Sequence, residues 1–140
     1  RPSLSAHFPS SSGVRLIAEP GRFFACRPFT LVANVTSVTE TNAVRLTEND
    51  ADAGQKAFMY YVNDGVYGTL NCIFFDDNRP ISRPLFPPKG LEEFLCTIWG
   101  PTCEAIDMLE EKKLLPRLSV GDWLFWEDMG AYTTEGASSF

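Results

Sequence analysis

KAFMYYV, residues 56–62, followed at once by Asn63-Asp64-Gly65, is the stretch that decides the fold. Its aromatic and β-branched side chains suit a pleated, half-buried surface better than a helix. Asn-Asp-Gly is a strong turn signal, because these residues tolerate the left-handed backbone of a tight hairpin. The segment beyond it, YGTLNCIFF (67–75), is again strand-like, so the two are expected as neighbours in one sheet.

Working outward, FTLVANVTSV (29–38) is rich in β-branched residues and reads as a further strand. TENDADAGQ (47–55) has no apolar periodicity and reads as an exposed hairpin loop. Short strands are expected at Ser82–Phe86, stopped by Pro87-Pro88, and at Phe94–Ile98, Asp122–Glu127 and Tyr132–Thr134. One helix is expected, Glu104–Leu115, with Ile106, Met108 and Leu109 near one face and Pro116 as its stop. Near the start, VRLIA (14–18) reads as a short buried strand halted by Glu19-Pro20-Gly21. Strands this short, recurring every 8 to 12 residues or roughly so, point to a mainly β sandwich or small Greek-key barrel.

The 140 residues are 44% apolar and 13% aromatic, enough for one domain with a real core. Twelve basic against eighteen acidic residues give a net charge of −6, the wrong sign for neutralising phosphate backbones, so nucleic acid is not an expected partner. No stretch approaches the roughly 20 apolar residues of a membrane span, and no membrane association is expected. RPSLSAHF at the start has neither initiator Met nor the apolar centre of a signal peptide, and reads as a cut through a longer chain. The four cysteines, Cys26, Cys72, Cys96 and Cys103, form no C-x-x-C pair, so no metal site is expected. They read as free thiols in a reducing compartment, the cytoplasm; two disulfides are the other reading.

Four blocks carry a resemblance: FPSSSGVRLIAEPGRFF (8–24), FMYYVNDGVYGTLNCIFFD (58–76), WGPTCEAID (99–107) and VGDWLFWEDMGAYT (120–133). In that order they resemble the eukaryotic-type ornithine decarboxylases, in the pyridoxal-phosphate family that acts on ornithine, lysine and arginine. The resemblance implies two parts. Residues 1–28 would end the cofactor-binding α/β barrel, with VRLIA as its last strand, and residues 29–140 would form the C-terminal β-domain.

It also implies roles. Glu19 matches the carboxylate that holds the protonated pyridine nitrogen, which lets the ring draw in electrons. Gly21, Arg22 and Tyr132 match the groups around the cofactor phosphate, where a guanidinium bonds in bidentate fashion and glycine permits close approach. Taken alone, Glu-Pro-Gly-Arg is a turn with solvated charges, and Tyr132 a half-buried strand tyrosine. Cys103 matches the cysteine that enters the partner subunit's site and helps decide where the intermediate is protonated; from spacing alone it is a small buried hydrophobe. Asp76 matches the aspartate that binds the substrate's distal ammonium, and Glu104 the second carboxylate, usually Asp. Phe140 matches an aromatic lining the site near the cofactor.

Two departures bear on substrate length: Glu104 adds a methylene, and Phe75 stands where the family often has Tyr. No lysine here lies in the context of the family's Schiff-base lysine, so this stretch alone is not expected to catalyse. The reading implied is decarboxylation of L-ornithine to putrescine for polyamine synthesis, by a cytoplasmic homodimer, with antizyme as a further partner. The alternatives are an arginine or lysine decarboxylase, a non-catalytic paralogue of the antizyme-inhibitor kind, and a β-domain that only mediates assembly.

Overall fold

A computed structural model describes residues 2–87 and 92–140, and the reading of Pro88 as part of a strand break lies outside them. Six strands, β1 (Leu31–Asn42), β2 (Lys56–Val62), β3 (Ser82–Pro84), β4 (Glu93–Trp99), β5 (Met108–Pro116) and β6 (Trp123–Trp126), form one mixed sheet in the order β3-β6-β1-β2-β4-β5. All neighbours are antiparallel except β2 and β4, which run parallel and so need a long crossover, here residues 63–92. The acidic loop after β1 does close an antiparallel hairpin onto β2, with Asn42 opposite Lys56.

Register places one face of every strand inside. Ala33 and Val35 of β1 pair with Leu124 of β6 and Val62 of β2, while Phe58 and Tyr60 of β2 lie level with Cys96 and Ile98 of β4. These side chains are at most 1% exposed and, with Trp126, Leu109, Leu115 and Leu118, make the core. The hydroxyl of Tyr60 accepts the Leu118 N–H at 3.0 Å, which satisfies a polar group buried in that core.

The sheet curls until its edges meet. On β3, the Ser82 N–H donates to Glu110 Oε1 of β5 at 2.9 Å, and Lys113 Nζ of β5 donates to Ser82 Oγ at 2.9 Å. Lys113 also pairs with Glu110 at 2.6 Å, so side chains take the place of a ladder where the edges meet. The architecture is therefore mainly β, a single curled mixed sheet that makes a half-barrel with its edge strands tied by side chains.

Four expectations are corrected. Glu104–Leu115 is not a helix: Ala105–Asp107 is a single 3-10 turn and the rest is β5, paired with β4. Tyr67–Phe75 is not the hairpin partner of β2. It folds into a 3-10 turn (Thr69–Asn71) and a helical turn, Cys72–Phe75, because Asp64 accepts the Gly65 and Thr69 N–H groups and winds the chain. Val14–Ala18 forms no strand and is exposed, since a lone strand has no neighbour among the described residues to satisfy its amides. Tyr132–Thr134 is a bend leading into a 3-10 turn at Thr134–Gly136. Instead of one helix there are four short ones among the described residues: α1 (Pro2–His7), α2 (Gly21–Ala25), α3 (Val44–Thr47) and α4 (Cys72–Phe75). No helix is long and apolar enough to cross a membrane among the described residues.

Candidate functional site

Three of the residues singled out from sequence meet, although they come from the beginning, middle and end of the chain. Arg22, in the first turn of α2, forms an ion pair with Asp76, the residue that ends α4, and its guanidinium lies 4.6 Å from the centre of the Tyr132 ring. The segment before Tyr132 is stitched to α2: the Gly130 N–H donates to the Cys26 carbonyl and the Met129 N–H to the Phe29 carbonyl, each at 2.9 Å. Gly130 must be glycine, for a Cβ there would strike the Ala25 carbonyl and the Phe29 ring.

Asn71, 4% exposed, ties the same segment to α4, its side-chain amide donating to the carbonyls of Gly68 at 2.7 Å and Thr133 at 2.5 Å. The Thr133 hydroxyl donates to the Met129 carbonyl at 2.6 Å. Tyr132 itself has φ 58°, a left-handed backbone that its N–H supports by donating to the Glu135 carboxylate. Those backbone amides hold the Glu135 carboxyl below the usual carboxylate range, its own N–H first and that of Tyr132 next.

Arg22 and Asp76 are each more than a third exposed, so the pair contributes at most about 1 kcal/mol and yields easily to a competing anion. Glu19 is exposed, and its carbonyl accepts the Gly21 N–H at 2.9 Å. Around this cluster Phe23, Phe24, Phe74 and Phe75 are 61 to 78% exposed, an apolar surface of the kind that packs against further protein.

Cys103 and Glu104 lie elsewhere. Both are exposed, on the turn that leaves β4, and they line a cavity of about 460 Å³ with Tyr61, Trp99, Pro101 and Thr102. Phe140 joins this second group rather than the first. Its ring packs on Tyr67 at 4.8 Å, and the two line a cavity of about 130 Å³ that shares Pro101 and Thr102 with the neighbouring one. The site residues thus fall into two sets, Arg22 with Asp76 and Tyr132, and Cys103 with Glu104 and Phe140.

Beneath the second set sits Asp107, fully buried, a residue within a quoted block to which the sequence reading gave no role. Its carboxylate accepts the Val66 N–H at 2.9 Å, the Thr102 N–H at 3.0 Å and the Thr102 hydroxyl at 2.8 Å. Gly65 and Gly100 press on it so closely that neither could carry a Cβ. Those glycines were the legible signal; the missed partners Asn71 and Glu135 had none.

The donor set suits a phosphate monoester. Arg22 offers a guanidinium and Tyr132 a 58% exposed phenol, and the backbone at Gly21 has open space beside it for a close approach. Among the described residues no cluster of His, Cys, Asp or Glu could hold a metal ion.

Residues 27–130 match the family described as pyridoxal-dependent decarboxylase, C-terminal sheet domain. The whole chain is 51% identical to an ornithine decarboxylase of Caenorhabditis elegans, of which it covers 33%. It is 42% identical, over 99% of its length, to antizyme inhibitor 2 of Xenopus laevis, of which it covers 30%. Among solved structures, it resembles a lysine/ornithine decarboxylase of Vibrio vulnificus complexed with cadaverine, at TM-score 0.76 and 33% identity, covering 99% of this chain and 33% of that one. The chain spans about a third of the length of these curated relatives.

Proposed function

Because this chain belongs to the pyridoxal-dependent decarboxylase family as its C-terminal sheet domain, we propose that it serves the decarboxylation of L-ornithine to putrescine, in a protein that also carries a Schiff-base lysine. The observation that carries this reading is the meeting of Arg22, Asp76 and Tyr132. A fold kept only for assembly has no need to gather a guanidinium, a phenol and a carboxylate at one exposed point.

Pyridoxal phosphate, when bound, supplies an electron sink for the pair left behind as carbon dioxide departs. Arg22 and Tyr132 would hold its phosphate, and Glu19 would hold the proton on its pyridine nitrogen. Asp76 would face the substrate's distal ammonium, a cation that is costly to bury without an anion beside it. Cys103 and Glu104 act in the site of a partner copy, the thiol moving a proton to the carbon that lost its carboxylate, the carboxylate meeting the same ammonium. The protein is then a homodimer with shared sites, placed in the cytoplasm and supplying polyamine synthesis. Antizyme is a candidate regulator of it.

The test is carbon dioxide release by the full-length protein, with cofactor added, from ornithine, lysine and arginine in parallel. Strong preference for ornithine is expected. Preference for a longer substrate would move the assignment to lysine or arginine and implicate Glu104 and Phe75. Release from none would favour the non-catalytic alternative, a paralogue of the antizyme-inhibitor kind.

A further inference from the structure

Asp107 is a carboxylate with no exposed surface, and it takes part in none of the ion pairs found among the described residues. Burying such a group is costly, and an apolar side chain would serve stability alone at least as well. What Asp107 does have is three donors from two separate turns: Val66 from the turn after β2, and the amide and hydroxyl of Thr102 from the turn after β4. Its own N–H donates to the Glu104 carbonyl at 3.0 Å, and its carbonyl accepts the Gly100 N–H at 2.8 Å. Both turns carry a glycine where the carboxylate presses in, Gly65 on one and Gly100 on the other. Cys103 and Glu104 are the exposed crest of the loop that these bonds close.

We infer that Asp107 is a positioning residue, a buried brace that fixes the turn presenting Cys103 and Glu104 against the turn that leads to Tyr67. The inference deepens the proposed function and rests on it for the role of Cys103. Asp107 touches no substrate; it acts by removing the freedom of the 100–104 backbone, so that thiol and carboxylate are offered in one arrangement. Sub-ångström placement of a proton donor changes rate more than binding, and the loss of the brace falls on turnover.

The test uses the full-length protein and Asp107→Asn, which keeps the volume but turns one acceptor oxygen into a donor facing an N–H. Turnover of ornithine is expected to fall about tenfold or more, with KM rising by less than turnover falls, through Glu104, and cofactor affinity within about twofold. Amide exchange at Val66 and Thr102 is expected to quicken roughly tenfold with the sheet amides unchanged. In a Cys103→Ala background the same substitution should cost less than about twofold further, since the two act as one unit.

A full independent loss on top of Cys103→Ala, or unchanged exchange at both amides, overturns the inference. If Asp107→Asn does not fold, Thr102→Val removes one of the three bonds and should give the same pattern, smaller. If the unaltered protein releases no carbon dioxide, the catalytic reading is what has failed. Exchange then decides on the brace alone, quickened exchange supporting it and unchanged exchange overturning it.

Discussion

Tyr132 stands at φ 58°, a left-handed backbone that costs a side-chain-bearing residue roughly 1 to 2 kcal/mol. The Glu135 carboxylate helps to hold it there by accepting its N–H. Because the Glu135 carboxyl is held below its usual range, that support is present above the ordinary carboxylate value and is lost as pH falls through the lowered one. Glu135→Ala should therefore quicken amide exchange at Tyr132 about tenfold, and Glu135→Gln, which keeps an acceptor, much less. Equal exchange in all three proteins would mean that Gly130 and Thr133 hold the bend alone. Cys96 shows the opposite sign. Burial pushes its thiol up to about 12, so its contribution is intact below the ordinary thiol value near 9 and is lost as pH climbs from there toward 12. Full ionisation would cost about 4 kcal/mol. Unfolding in urea at pH 8.5 and 11 should show a smaller alkaline loss for Cys96→Ala than for the unaltered chain; parallel losses would contradict this.

β5 is the element in which sequence pattern and fold part company. Between Cys96 opposite Lys113 and Ile98 opposite Glu110, β5 carries one more residue than β4, a bulge in which Lys112 adopts φ 50°. The bulge lets Glu110 and Lys113, three apart, point to the same interior side and reach Ser82. Removing the cation alone, as in Lys113→Met, leaves Glu110 half-buried without its counter-charge and should cost about 2 kcal/mol in denaturant unfolding, whereas Lys113→Met with Glu110→Leu should cost far less. Lys112→Gly should stabilise by about 1 kcal/mol, and a loss would show that the left-handed backbone is not the bulge's main strain. EAIDMLEEKKLL reads as a helix because Ile106, Met108 and Leu109 lie near one helical face with Pro116 as a stop, and only the long-range partner β4 tells otherwise. By contrast β2, β4, β6 and most of β1 were legible, because their apolar and aromatic runs are buried as such. Tyr67–Phe75 was not, since side-chain capping by Asp64 decided against β-rich composition.

At the scale of the molecule, residues matching one family site are divided between two places. Arg22, Asp76 and Tyr132 gather where α2, α4 and the C-terminal bend meet. Cys103, Glu104 and Phe140 belong to cavities beside the turn after β4. Each residue was legible one by one through motif resemblance, and so was the placing of Cys103 in a partner's site; that Phe140 sides with Cys103 and Glu104 was not, because it depends on the curl of the sheet and the crossover from β2 to β4. If the protein works as a dimer, each site draws one set from each copy. The most direct measurement mixes two full-length variants, Arg22→Ala and Cys103→Ala, each impaired by itself, under conditions where subunits exchange. Half of the dimers are then mixed, with both substitutions together in one site and neither in the other, so ornithine decarboxylation should recover to about a quarter of the unaltered rate. A mixture no more active than its two components would contradict the division of the site between subunits.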